Sequence, residues 1–173
     1  TVPELTERTP YAVVTNFVPS LSRSVAGPMT REEFSRAVDA FVPSSNYMYA
    51  LRVTGRFAWA SARTVTKQDR PYRPMVEATD GEEIARHEDF SGTIAGFRTP
   101  LYESGISVAG CHAHIVDDDR TWGGHLVDFV LEEGEAELCL GTDFHMRLPL
   151  TEEFRTADLS EDMTEEIRRV EHH

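Results

Sequence analysis

From Gly110 to Phe129 the chain reads GCHAHIVDDDRTWGGHLVDF, two runs of strand-forming residues separated by a polar, glycine-rich reversal. No other stretch limits the fold so tightly. A strand sends alternate side chains to opposite faces, and a short reversal between two such runs makes them antiparallel neighbours. His112 and His114 are two apart on the first run, so they share a face and stand about 7 Å apart along it. If the runs pair symmetrically about Asp119 and Arg120, His114 lies opposite His125 and His112 lies opposite Val127. Three imidazoles then converge from one face of a hairpin, with directly opposed Cβ atoms about 5 Å apart. A slip of one residue sends His125 to the other face, so everything here hangs on register.

The rest of the chain agrees with a strand-rich fold. Residues 1–10 are polar and proline-bounded, and read as an arm. The run 11–17 (YAVVTNF) is β-branched and aromatic, and predicts a strand. Residues 30–41 (TREEFSRAVDAF) predict a helix: Thr30 and Glu33 form a capping-box pair, Phe34, Val38 and Phe41 recur on one side, and Pro43 stops it. Runs 47–53 and 56–64 read as a hairpin about Thr54-Gly55. Residues 67–74 (KQDRPYRP) carry two prolines and cannot continue a central strand. Further strands are predicted at 93–98, 111–116, 125–132, 135–140 and 144–148, and a late helix at 160–170 with Met163, Ile167 and Val170 on one side. The fold class is α+β, a mixed, largely antiparallel sheet with one early and one C-terminal helix.

Charge excludes some partners. With 17 Lys+Arg against 30 Asp+Glu the formal net charge is −13, and the sequence offers no basic stripe for a phosphate backbone. No apolar run approaches the roughly 20 residues of a membrane span. Nucleic acid and membrane are therefore not expected as partners. Cys111 and Cys139 make no disulfide framework and no Cys-ligand metal pattern. They fit a reducing, cytoplasmic compartment and leave secretion open. The chain starts at Thr1, and His172 and His173 read as a tag remnant.

Three neutral imidazoles leave a fourth metal position open, as a catalytic zinc site requires and a structural one does not. On the expected register Val116, Val127, Phe129 and Leu131 lie beneath the histidines, an apolar floor that strengthens an ion's field. A lone strand histidine is ordinarily a solvated or satisfied side chain, so spacing alone leaves the metal an open question. It also leaves the reaction open. Alpha-class carbonic anhydrases use a longer interval to the third histidine. Cupins follow H-x-H with a glutamate, where this chain has Asp117, Asp118 and Asp119; a cupin-like oxygenase would predict iron instead. Those three aspartates read as a solvated hairpin tip, without the alternating ligands and central glycine of a calcium loop. Cys111 falls on the opposite strand face from His112, and reads as core packing. Trp122 fits either a pocket mouth or a cover over the turn. His87 and His145 read as solvated or structural, and Arg98 as half of an ion pair.

Beyond the histidines, a longer set of segments carries a resemblance. PYAVVTNF, VPSSNYMYALRVTGRF, ARTVTKQDRPYRPMVE, SGTIAGFRTP, GCHAHIVDDDRTWGGHLVDFVLEEG and DLSEDMTEEIRRVE follow, in order, the pattern of the acetolactate decarboxylases. The chain resembles that family over nearly its whole length. The resemblance implies zinc-dependent conversion of 2-acetolactate, a 2-hydroxy-3-oxo acid, to acetoin and carbon dioxide, the zinc chelating the ketone and hydroxyl and stabilising an enediolate. It implies that His112, His114 and His125 hold Zn2+, that Arg63 is the active-site arginine, and that Glu171 is the C-terminal glutamate approaching the metal. It also implies a homodimer. Family members carry about 80 residues ahead of this segment, above the usual minimum for a domain, with a second sheet and another active-site glutamate. On that basis residues 1–18 read as the arm of a preceding sheet domain, 19–171 as the zinc-binding domain and 172–173 as tag. A zinc-binding relative without catalysis is the alternative reading.

Overall fold

A computed structural model describes residues 11–64, 77 and 83–159. Its elements are β1 (Leu21–Thr30), α1 (Arg31–Phe41), β2 (Met48–Arg63), β3 (Ile84–Thr99), β4 (Gly110–Asp117), β5 (Gly123–Gly141) and α2 (Glu152–Thr156), with a single 3-10 turn at Leu101–Glu103. Every strand pairing is antiparallel, in the order β1-β5-β2-β3-β4. The first residues of β5 also pair with β4, so β2, β3, β4 and β5 form a closed ring of pairings. The α+β, largely antiparallel reading holds. Among the described residues no helix is long and apolar enough to cross a membrane.

The core fills the inside of this ring and is covered by α1. Val53, Phe57, Ile94, Leu131 and Leu138 are at most 1% exposed. Phe57 stacks on Phe90 at 5.3 Å and meets Phe129 edge-on at 6.0 Å, while Phe34 of α1 meets Phe129 at 5.6 Å. Each such pair adds to the burial of its rings by about 0.5–1.5 kcal/mol. The helix begins as its sequence dictates. The Thr30 hydroxyl accepts from Glu33 N, and the Glu33 carboxylate accepts from Thr30 N.

One expected reversal and one expected strand break are absent, for one reason. Thr54-Gly55 does not turn the chain: β2 runs through it without a break, and so does β5 through Glu133-Gly134. Gly55 pairs with Gly92 on one side and with Gly134 on the other. A Cβ on Gly55 would lie 2.3 Å from the Glu133 carbonyl oxygen and 2.8 Å from Gly134 Cα. These glycines mark a close approach of three backbones, the other use of glycine in a strand.

Other expectations also change. Residues 11–17 pair with no strand among the described residues; Phe17 lies under the Arg52 guanidinium, 4.8 Å from its ring centroid. β-Branched composition favours an extended chain, but a ladder needs a partner edge. The run 144–148 is likewise outside any strand, with Phe144, Met146 and Leu148 exposed. Strand 93–98 falls within the C-terminal half of the longer β3. β1, with Pro28 and few apolar residues, was not foreseen, and it occupies the edge position to which prolines are restricted. The late helix 160–170, Glu171, the tag residues and the segment 67–74 lie outside the described residues.

Candidate metal centre

The hairpin forms in the anticipated register. His114 pairs with His125, Ile115 with Gly124 and Val116 with Gly123. Asp117 organises the reversal: its carboxylate accepts from Thr121 N (2.8 Å), Trp122 N (3.0 Å) and the Thr121 hydroxyl (2.8 Å). It is 5% exposed, so it is a built part of the turn and not solvated tip; Asp118 and Asp119 are the solvated pair. The Trp122 N–H, then the two Thr121 donors, hold its carboxyl below the ordinary 3.8 against the opposing effect of burial. Trp122 covers the turn, packing 5.5 Å from Phe90 and 5.2 Å from His87. His87, 4.6 Å from Phe90, is structural.

Glycine lets β5 enter between its neighbours. A Cβ on Gly124 would meet the Arg63 carbonyl oxygen at 2.6 Å, a contact no side chain tolerates. The chain can therefore slide between β4 and β2, and the next residue, His125, is flanked by His114 on one side and Arg63 on the other. Directly paired residues of adjacent strands project to the same face. His114, His125 and Arg63 thus form one row across three strands, and His112 stands two residues along β4, across from Phe97 of β3.

Ala113 and Ile115 point into the core, so His112 and His114 face outward from the ring. The His112 and His114 rings lie nearly parallel at 5.5 Å, and His125 meets them edge-on at 4.9 and 5.5 Å. One ligand nitrogen from each falls within 4.8 Å of the others, and His112 Nε2 is 3.4 Å from His114 Nε2. Two nitrogens bound tetrahedrally at the usual zinc distance are also about 3.4 Å apart. The donor set fits zinc. Burial first, then the Arg63 guanidinium and the other two imidazoles, pushes His125 down from 6.5 to about 4. It is therefore neutral, with a lone pair to donate, throughout the physiological range.

Part of the expected floor is elsewhere. The β4–β5 ladder ends at His114–His125, short of the expected His112–Val127 pair. Beyond that point β5 bulges: Ala62 pairs with Leu126 and Ser61 with Asp128, leaving Val127 outside the β2 ladder. One extra residue reverses the facing of the side chains that follow, here as far as the next irregularity at Glu132. Leu126 and Phe129 consequently both line the core side, Leu131 is fully buried there, and Val116 of the predicted floor keeps the histidine face, at 42% exposure. The wall comes instead from Tyr11, Val13, Phe97 and Val108, which border a cavity of about 330 Å³ with His112 and His114. Sequence alone did not select these residues; the β3–β4 register identifies Phe97. Cys111 is on the opposite face as expected, but it lines a cavity under α1 and stays exposed instead of packing in the core. Arg98, on that same side, pairs with Asp39 at 2.8 Å.

A family model for alpha-acetolactate decarboxylase matches residues 1–161. The chain belongs to the acetolactate decarboxylase family. It is 38% identical over 166 residues to the alpha-acetolactate decarboxylase of Bacillus subtilis, covering 95% of this chain and 65% of that protein. It is 35% identical to that of Methanosarcina mazei, covering 94% of this chain and 57% of that one. It therefore spans less than two thirds of the length of these relatives. Crystal structures agree on the fold. The acetolactate decarboxylase of Bacillus subtilis subspecies spizizenii superposes with a TM-score of 0.85 at 39% identity, over 89% of this chain and 67% of that one. A Staphylococcus aureus protein described as similar to the family superposes at 0.87 with 28% identity, over 91% of this chain and 68% of that one.

Proposed function

We propose that this chain decarboxylates 2-acetolactate to acetoin and carbon dioxide as a zinc enzyme and works as a homodimer. The observation that carries the reading is the row His114–His125–Arg63, with His112 beside it, in a chain of this family. His112, His114 and His125 would hold the metal. Bound there, zinc supplies a Lewis acid for a ketone oxygen and the hydroxyl next to it.

The chain's own groups divide the remaining work. Arg63, at the end of the ligand row, offers a planar fork to the substrate carboxylate. When the bond between that carboxylate and C2 breaks, its electron pair moves toward the ketone, and the same cation stabilises the growing negative charge. Phe97 and Val13 exclude water from the apolar end of the substrate. Glu171 is the proposed acid that returns a proton to C2 on one face, making the product chiral.

The test is acetoin formation from racemic 2-acetolactate by zinc-replete and chelated protein, beside His114→Ala. Zinc-dependent acetoin, lost in the variant, is the expected result. Zinc retained without acetoin would sink the claim that this chain is competent by itself, leaving a zinc-binding relative.

A further inference from the structure

We infer that Arg31 is a positioning residue for His125, acting through the backbone carbonyl of Val127; the inference rests on the three histidines being metal ligands. Arg31 is the first residue of α1, yet a cation is disfavoured at a helix N-terminus, where the macrodipole is positive. Its two successors obey the rule: Glu32 pairs with Arg36 and Glu33 closes the capping box. Arg31 breaks the rule for a contact elsewhere. Its Nη1 donates to Val127 O at 2.6 Å.

That carbonyl belongs to the residue left out of the β2 ladder by the bulge. β1 gives it no partner either, since the β1–β5 pairing ends at Thr30–Val130. Asp128 serves the same bulge, its carboxylate accepting from Phe129 N at 2.8 Å. The bulge is what allows Leu126 and Phe129 both to face the core while His125 faces the other two imidazoles. Without it, strand parity puts either His125 or Phe129 on the wrong face. Helix α1, anchored in the core by Phe34, thus holds the third ligand in its register through one guanidinium.

The test is cobalt(II) affinity, by competition with a chromophoric chelator, for the wild type, Arg31→Met and Arg31→Lys, each also in a His125→Ala background. Partners bonded directly to a metal ligand typically contribute about 10–100-fold to affinity, and Arg31→Met, acting one step further out, is expected to lose about tenfold. Arg31→Lys, which keeps a donor, recovers most of it. In the His125→Ala background Arg31→Met costs nothing further, because its effect runs through the missing ligand. An equal loss in both backgrounds, or no loss, overturns the inference. Hydrogen exchange on metal-free protein reads the bulge directly: Arg31→Met speeds exchange at residues 125–128 more than in β3, and unchanged exchange there also overturns it. Wild type that binds no cobalt removes the metal reading and leaves the exchange result to decide whether Arg31 holds the bulge.

Discussion

At the scale of single residues, the site depends on side chains whose chemistry is local and whose placement is not. Asp117 shows the difference. Its three hydrogen bonds shape the reversal that sets His114 against His125. Asp117→Asn keeps the shape but weakens charge-assisted bonds, so it should lower the melting temperature at neutral pH and weaken metal binding as well. The pH dependence has a definite sign. The folded carboxyl titrates below the unfolded value of 3.8, so its contribution is complete above that value and lost as pH falls through the lower folded one. Melting curves of the two proteins should therefore converge in acid, and a gap that widens there would refute the role. The histidine triad was readable because register can be counted outward from a symmetric turn. Arg63 became recognisable only through the family resemblance, since an arginine at a strand end has no distinctive local pattern. Arg31 and Phe97 escaped because each acts across a pairing that no short motif encodes.

At the scale of elements, those with local signals are legible in the sequence, and those that a pairing partner decides are not. The helix is legible to within a residue because its periodicity lies inside it and its cap, Thr30, and stop, Pro43, lie within two residues of its ends. Replacing Thr30 with Ala should cost about 1 kcal/mol, as loss of a Thr cap ordinarily does, measured by urea denaturation with an unchanged m-value. The sequence suggests interruptions at Gly55 and Gly134 that the strands do not have, because a glycine at a turn and one at a backbone contact look alike in one dimension. Tertiary pairing distinguishes them: each of these glycines faces another glycine across the ladder. Gly55→Val is accordingly expected to disrupt the joint of β3, β2 and β5, lowering stability by more than the same change at Gly105, which has open space around it. Equal melting temperatures for the two variants would restore the hairpin reading. The runs 11–17 and 144–148 failed for the complementary reason, since they have strand composition without a strand beside them.

At the scale of the whole molecule, the proposed metal would link its own binding to the stability of the fold. The three histidines come from β4 and β5, and the row continues onto β2, so an ion held by them would tie together three strands of the closed ring. A ligand that binds only the folded state stabilises it by RT ln(1 + [L]/Kd), about 2.7 kcal/mol at a hundredfold excess over Kd. Zinc should thus raise the melting temperature in a concentration-dependent way, and a chelator should reverse the rise. In His125→Ala the increment should nearly vanish, because two imidazoles on one strand no longer bridge the hairpin. His125 also sets the sign of the pH dependence. Its folded value, about 4, lies below the ordinary 6.5, so in metal-free protein protonation favours the unfolded chain, and stability falls as pH drops from 6.5 toward 4. Removing this imidazole removes that contribution, so metal-free His125→Ala should lose less stability than wild type over the same interval. Calorimetry of both proteins at pH 7 and pH 5, with and without zinc, separates the two effects. A zinc increment equal in wild type and variant would mean that the ion binds elsewhere, and the triad would then be a set of neighbouring histidines with no shared ligand.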